Sequence, residues 1–212
     1  LYSAFTYYIG FKVNSGEYKV MGLAPYGKPI YKELILNNLV DLKDDGSFRM
    51  DMSYFNFATG LTMTNQKFNN LFGQPVRKSD KGLLTQFHMD IAASIQSVTE
   101  EIVLKLTRDI AIRYKTNNLC MAGGVALNCV ANGKVLKDKM IKNIWVQPAA
   151  GDAGGSLGAA LAYWHQELKN KRFVNLSDNM KGSYLGPKFK NEDIKKELKL
   201  LNANFKECKE DE

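Results

Sequence analysis

Cysteine is scarce in this sequence. The 212 residues hold three, Cys120, Cys129 and Cys208, an odd number without a CxxC spacing. That pattern excludes a disulfide framework and a zinc knuckle, and a reducing, cytoplasmic compartment is expected. Histidine is scarcer still, with two. His88 and His165 lie far apart, and an imidazole without a second ligand at metal-site spacing reads as structural or surface. No run of about 18 apolar residues occurs, so no membrane-spanning helix is expected, and no signal peptide is visible. The net charge is +7, yet no block of about five or six like charges is present. Lysines gather only loosely, at Lys134, Lys137, Lys139 and Lys142 and again at Lys188, Lys190, Lys195 and Lys196. They read as a solvated surface, and neither nucleic acid nor a membrane is an expected partner. The phosphate loop GxxxxGK[ST] and the dinucleotide fingerprint GxGxxG are both missing, which disfavours a Walker-type ATPase and a nicotinamide oxidoreductase. No Ser-His-Asp or Cys-His constellation stands out, so covalent catalysis is not expected.

Hydrophobic residues make up 45% of the chain and charged residues 24%, which suits a globular domain with a sizeable core. The chain begins at Leu1 in an aromatic-rich stretch, residues 1–11 (LYSAFTYYIGF), that already looks like core. It is expected to be a piece of a longer protein. Residues 17–28 (EYKVMGLAPYGK) read as a compact, turn-rich element. Residues 41–46 (DLKDDG) mark a turn before a strand at 48–57, within a hairpin. Residues 73–82 (GQPVRKSDKG) form a polar loop. A long helix is predicted over 83–114, because Phe87, Ile91, Ile95, Val98, Ile102, Leu106 and Ile110 recur every three or four residues. Ala92, Ala93 and Ser94 on it leave room for close approach by another element.

Beyond that helix the pattern becomes strand, glycine loop, helix, twice over. Buried strands are expected at 118–125 (NLCMAGGV) and 144–147 (IWVQ), with helices at 126–136 and 156–169. This is α/β grammar, in which ligands bind at the C-terminal ends of strands. Both loops, at Gly123-Gly124 and at 151–155 (GDAGG), carry glycine where a strand hands over to a helix. Glycine permits positive φ and close backbone approach, and the helix N-terminus that follows favours anions. Together they suit a phosphate or nucleoside cradle. Asn128 can donate and accept toward a nucleotide or cap its helix. Asp152 can hold a cation beside a phosphate or serve as a cap. From residue 170 the composition turns polar, reading as a linker with a turn at 184–187 (YLGP), a short charged helix at 192–201 and a charged tail at 205–212.

Four stretches resemble one family: EYKVMGLAPYG (17–27), DIAASIQ (90–96), LCMAGGVALNC (119–129) and QPAAGDAGGSLGAA (147–160). In this order, across roughly residues 1–187, they resemble the carbamoyltransferases of nodulation and antibiotic tailoring. The resemblance implies an actin-like ATPase lobe of the ribonuclease H-like class, a mixed sheet flanked by helices, similar to the enzyme that transfers threonylcarbamoyl to tRNA adenosine. Residues 1–170 would be the C-terminal half of that nucleotide-binding domain, and 171–212 the linker and start of a YrdC-like region.

The implied reaction has two steps. Carbamoyl phosphate and ATP give carbamoyl-adenylate and pyrophosphate in the YrdC-like domain, and the actin-like domain then carries carbamoyl to an acceptor hydroxyl on a small molecule or glycan. A divalent metal, usually iron, assists. The resemblance places Gly123, Gly124, Val125 and Asn128 around the adenylate with Gly151 and Gly154, and makes Asp152 a metal ligand and catalytic group. Lys19 would hold phosphate or the carbamoyl oxygen, or be a surface lysine. Gly22 and Gly27 would admit the nucleotide, or simply turn the chain. The family's HxxxH ligand pair is absent, as is the rest of the YrdC-like domain. Most metal ligands and the other cleft wall would therefore lie in the missing N-terminal half and the YrdC-like domain of the parent, and the isolated segment is expected to be inactive. A sugar- or acetate-kinase-like phosphotransferase, or a non-catalytic nucleotide-binding module, are the alternatives.

Overall fold

A computed structural model describes residues 1–80, 82–174, 177–178 and 180–208. The chain divides into two compact units, Leu1–Leu161 and Ala162–Glu212. In the first unit, helix α1 (Tyr2–Tyr8) is followed by α2 (Glu17–Leu23), a 3-10 turn at Ala24–Tyr26, and α3 (Lys32–Asn38). Strands β1 (Val40–Leu42) and β2 (Phe48–Met50) form an antiparallel hairpin, and α4 (Gln66–Phe72) follows. The long helix α5 spans Gln86–Tyr114. Then come β3 (Asn118–Met121), a 3-10 turn at Gly124–Leu127, α6 (Cys129–Lys137), β4 (Asn143–Val146) and α7 (Gly154–Ala162).

Helices of seven residues are marginal by themselves, so α1 to α4 need tertiary burial. An aromatic cluster supplies it. Phe5, Tyr8, Phe68 and Phe72 interlock at centroid distances of 4.9–5.7 Å, and Tyr31 and Phe87 extend the cluster. Burial of each such ring contributes about 1.5–3 kcal/mol, well above any helix propensity term. Helix α5 forms the other side of this core with Ile91, Ile95, Val98 and Ile102.

The predicted stripe on α5 holds through Ile102 and then drifts. Leu106 is exposed, and burial passes to Val103, Thr107 and Ala111. The partner changes there, from the aromatic core to a smaller second core built on Val103, Ala111, Ala131, Val135 and Ile141. The helix begins at Gln86 rather than 83, because Thr85 caps it: the Thr85 N–H donates to His88 Nδ1 at 3.1 Å.

Strands β3 and β4 pair in parallel, with Leu119 opposite Ile144 and Met121 opposite Val146. With α6 between them they form the expected strand–helix–strand unit. Three expectations need correction. The strands are not buried on both faces: Leu119, Met121 and Ile144 pack on the second core, while Cys120 and Trp145 are exposed. Among the described residues the strands form two separate two-stranded sheets rather than one mixed sheet. The strand predicted over 48–57 ends at Met50, where Asp51 caps a 3-10 turn at Met52–Tyr54 by accepting from the Ser53 N–H at 3.0 Å.

The helix predicted over 126–136 is split into the 3-10 turn and α6. That predicted over 156–169 is α7 followed by a π turn at Tyr163–Glu167, and α7 buries none of its residues. The second unit also contains a helix, α8 (Asn191–Leu200), matching the charged helix read from the sequence. Lys81 of the polar loop, residues 175, 176 and 179 of the linker and 209–212 of the tail lie outside the described residues. Among those described, no helix is long and apolar enough to cross a membrane.

Candidate functional site

Helix α5 links the two motif-bearing segments of the first unit. Near its N-terminus, Asp90 Oδ1 accepts from the Lys28 N–H at 2.7 Å and from Gln86 Nε2 at 2.9 Å. Ser94 Oγ accepts from the Tyr31 N–H at 3.0 Å and donates to the Asp90 carbonyl. The small run Ala92-Ala93-Ser94 permits this approach, as its composition suggested. Gly27 comes closest: a Cβ there would lie 2.0 Å from the Met89 carbonyl oxygen. The requirement for glycine at 27 is therefore backbone packing against α5.

Two turns further along α5, Gln96 reaches the first glycine loop. Its side-chain amide pairs reciprocally with Asn128. Gln96 Nε2 donates to Asn128 Oδ1 at 3.1 Å and Asn128 Nδ2 donates to Gln96 Oε1 at 3.0 Å. Asn128 Oδ1 also caps α6 by accepting from the Ala131 N–H at 3.0 Å. Gln96 is held in turn by the Tyr2 hydroxyl, which donates to Oε1 at 2.9 Å, and by Glu100, whose Oε1 accepts from Nε2 at 3.0 Å. The buried Glu100 carboxylate is paired with Lys134 of α6. Burial, then the charges of Glu100 and Glu17, raise the Tyr2 pKa far above its ordinary value. Tyr2 therefore remains a proton donor at any physiological pH.

Above this network lies a cavity of about 430 Å³, a size usual for small-molecule sites. Gly124, Val125, Leu127 and Asn128 line it from the first glycine loop and Gly151 and Asp152 from the second, while Glu17, Tyr18 and Met21 of α2 stand opposite with Tyr2, Asn14 and Thr99. The two loops are joined directly, since the Gly123 N–H donates to the Ala150 carbonyl at 2.7 Å. Gly123 has φ +96°, a conformation that favours glycine.

The structure thus gathers five of the predicted site residues, Gly124, Val125, Asn128, Gly151 and Asp152, around one cavity. Gly123 stands behind it as the link between the loops. Gly154 opens α7, where a Cβ would meet the Ala149 carbonyl oxygen at 2.5 Å. Lys19, Gly22 and Gly27 are not among the lining residues. Lys19 is exposed, with its ammonium 5.8 Å from the Phe11 ring centroid and 5.9 Å from that of Tyr18. Gly22 is exposed, with nothing near its Cβ position.

Asn128 caps α6, one of the two roles read for it, and also lines the cavity. No hydrogen bond engages the Asp152 carboxylate among the described residues, so the cap reading is not realised there. Ser156 instead bonds the Ala153 carbonyl at 3.0 Å. Glu17, the other lining carboxylate, accepts from the Asn14 and Gly16 N–H groups at 2.9 and 3.1 Å. His88 is structural, as read from the sequence, and His165 Nδ1 lies 3.0 Å from the Asn170 carbonyl. Among the described residues, no three His, Cys, Asp or Glu side chains converge to hold a metal. Asp152 offers one free ligand and does not make a metal site by itself.

Sequence reasoning missed Gln96, Glu100, Tyr2 and Thr99. Gln96 ends the DIAASIQ stretch, and its period on α5 puts it one turn beyond Ala92.

Residues 1–161 match the family model described as Carbamoyltransferase N-terminus, and the chain belongs to that family. It is 65% identical over 199 residues to the uncharacterized protein sll1178 of Synechocystis, covering 94% of this chain and 32% of that protein. It is 37% identical over 188 residues to the nodulation protein NolO of Bradyrhizobium diazoefficiens, covering 80% of this chain and 32% of NolO. It is 38% identical over 154 residues to the nodulation protein NolNO of Sinorhizobium fredii, covering 73% and 21%. The chain therefore spans a third or less of the length of these curated relatives.

Proposed function

We propose that this chain is one wall of the transfer site of an ATP-dependent O-carbamoyltransferase, in which the cavity between the glycine loops and α2 receives carbamoyl-adenylate. The observation that carries this reading is the convergence of Gly124, Asn128, Gly151 and Asp152 on one cavity, in a chain of the carbamoyltransferase family. The parallel strand–loop–helix order that builds the loops supports an actin-like nucleotide-binding lobe.

In the proposed step the acceptor's hydroxyl oxygen attacks the carbamoyl carbonyl carbon. The bond from that carbon to the adenylate phosphate oxygen breaks, and AMP leaves with the electron pair. The hydroxyl proton must go to a base as the new bond forms. That base would come from the rest of the parent protein, because the Asp152 carboxylate, exposed at the cavity and free of internal hydrogen bonds among the described residues, is the ligand this chain would offer to a metal. The backbone N–H of Gly124 suits the phosphate, and Tyr18 offers an aromatic face to the adenine. A divalent metal, iron by the family resemblance, would polarise the carbonyl. It would find one ligand here in Asp152, and the others would come from the rest of the parent protein. Carbamoyl phosphate is the source of the carbamoyl group, and the acceptor is a hydroxyl-bearing small molecule or glycan.

The test is product analysis on the full-length parent with ATP and carbamoyl phosphate. Pyrophosphate and carbamoyl-adenylate are expected. ADP as the sole nucleotide product would replace this reading with a phosphotransferase, and ATP binding without turnover would replace it with a non-catalytic module.

A further inference from the structure

We propose that Gln96 is a positioning residue that fixes the Asn128 amide so that it presents a hydrogen-bond donor, and not an acceptor, to the nucleotide. The inference rests on the reading of the cavity as a nucleotide site. Asn128 could in principle face a ligand with either end of its amide. Two independent anchors remove that freedom. At one end the Ala131 N–H, at the start of α6, needs an acceptor and takes Asn128 Oδ1 at 3.0 Å. At the other, the Glu100 carboxylate can only accept, and it takes Gln96 Nε2 at 3.0 Å. The Tyr2 hydroxyl meets the other end of the same amide, donating to Gln96 Oε1 at 2.9 Å. The reciprocal Gln96–Asn128 pair at 3.0 and 3.1 Å is the one arrangement that satisfies all three.

Gln96 is then saturated, with both Nε2 hydrogens and both Oε1 lone pairs in use. Asn128 Oδ1 already accepts twice. What Asn128 has left is the second Nδ2 hydrogen, and Asn128 lines the cavity. A ligand group meeting it must accept: a phosphate oxygen, a ribose oxygen or a purine ring nitrogen. Glu100, paired with Lys134, extends the chain of polarity from a charged pair on α6 through Gln96 to the cavity wall.

The test is AMP binding to the full-length parent by titration calorimetry, with the kinetics of pyrophosphate formation from ATP and carbamoyl phosphate beside it, for wild type, Gln96→Met, Gln96→Glu, Asn128→Ala and the Gln96→Met/Asn128→Ala double variant. Gln96→Met keeps the volume without the amide. Gln96→Glu keeps the shape but turns an acceptor toward Asn128 Oδ1 and Glu100. AMP is the nucleotide that leaves this cavity in the proposed step, and losing one oriented donor should weaken its binding about tenfold in either Gln96 variant. Pyrophosphate formation, which the family resemblance assigns to the YrdC-like domain, should keep its KM for ATP. Asn128→Ala should add little in the Gln96→Met background.

AMP affinity unchanged in both Gln96 variants would overturn the inference. So would additive losses in the double variant, or a loss of AMP affinity accompanied by lost thermal stability and a raised KM for ATP. If wild type binds AMP but forms no pyrophosphate, the carbamoyltransferase reading falls while the affinity comparison still judges Gln96. If wild type binds no AMP, both are overturned.

Discussion

A backbone approach decides the role of Gly27. Its Cβ position lies 2.0 Å from a main-chain oxygen of α5, and neither side is a flexible side-chain end. Gly27→Ala should therefore destabilise the first unit by about 1–3 kcal/mol, as overpacking does, measured by urea unfolding. Unchanged stability would mean that the 24–31 segment can lift away without loss. His88 carries a second residue-scale prediction. Its Nδ1 accepts the capping hydrogen bond from the Thr85 N–H, so the neutral ring is the one the fold uses. Burial, and then Arg77, lower its pKa below the ordinary 6.5. In acid the unfolded chain therefore binds this proton before the native one does, and stability falls as pH drops below about 6.5. His88→Gln keeps an acceptor at the cap without titrating. It should flatten unfolding midpoints between pH 7 and 5, and an unaltered pH profile would show that the cap does not titrate. The imidazole was readable as structural because it had no second ligand at metal spacing. Its capping role was harder to read, since the usual partner at that position is Glu or Gln.

Among the elements, α5 was the most legible in the sequence. Apolar residues at helical spacing over about seven turns fit a helix that buries one face, and neither a strand nor a loop keeps that period. Its drift after Ile102 was not legible, because periodicity reports a buried face without saying what covers it, and the covering core changes midway. The strands show the opposite error. A short apolar run such as IWVQ reads as buried on both faces, but among the described residues the β3–β4 sheet packs by one face, on the core built with α5 and α6. Helix α5 also acts as a latch. Asp90 and Ser94 hold the backbone of the 28–31 segment, through contacts 62 and 63 residues apart in sequence. Asp90→Ala removes a charge-assisted acceptor from the Lys28 N–H and should cost about 1.5–3 kcal/mol. Hydrogen exchange should then accelerate over residues 24–31 and not at the aromatic core. Uniform acceleration across α1 to α4 would instead show that the latch belongs to the global folding unit.

Over the whole molecule, the sequence motifs marked most of the cavity wall. The two glycine loops were legible because glycine at a strand-to-helix handover has a definite physical use. The α2 contribution of Glu17, Tyr18 and Met21 lay inside a recognised motif whose geometry the sequence could not supply. The Gln96–Asn128 pair, 32 residues apart, was invisible to any local pattern. With one free carboxylate and no convergent ligand set among the described residues, the purified chain of residues 1–212 should bring about no carbamoyl transfer on its own. Turnover by that polypeptide would show that the site needs nothing more.

The most direct test of the transfer site is nucleotide product analysis on the full-length parent carrying Asp152→Asn, with ATP, carbamoyl phosphate and a hydroxyl-bearing acceptor. If Asp152 holds the metal that polarises the carbamoyl carbonyl, carbamoyl-adenylate and pyrophosphate should still form while AMP release falls about a hundredfold or more. AMP release at the wild-type rate, or ADP as the only nucleotide product, would contradict a carbamoyl-transfer site in this cavity.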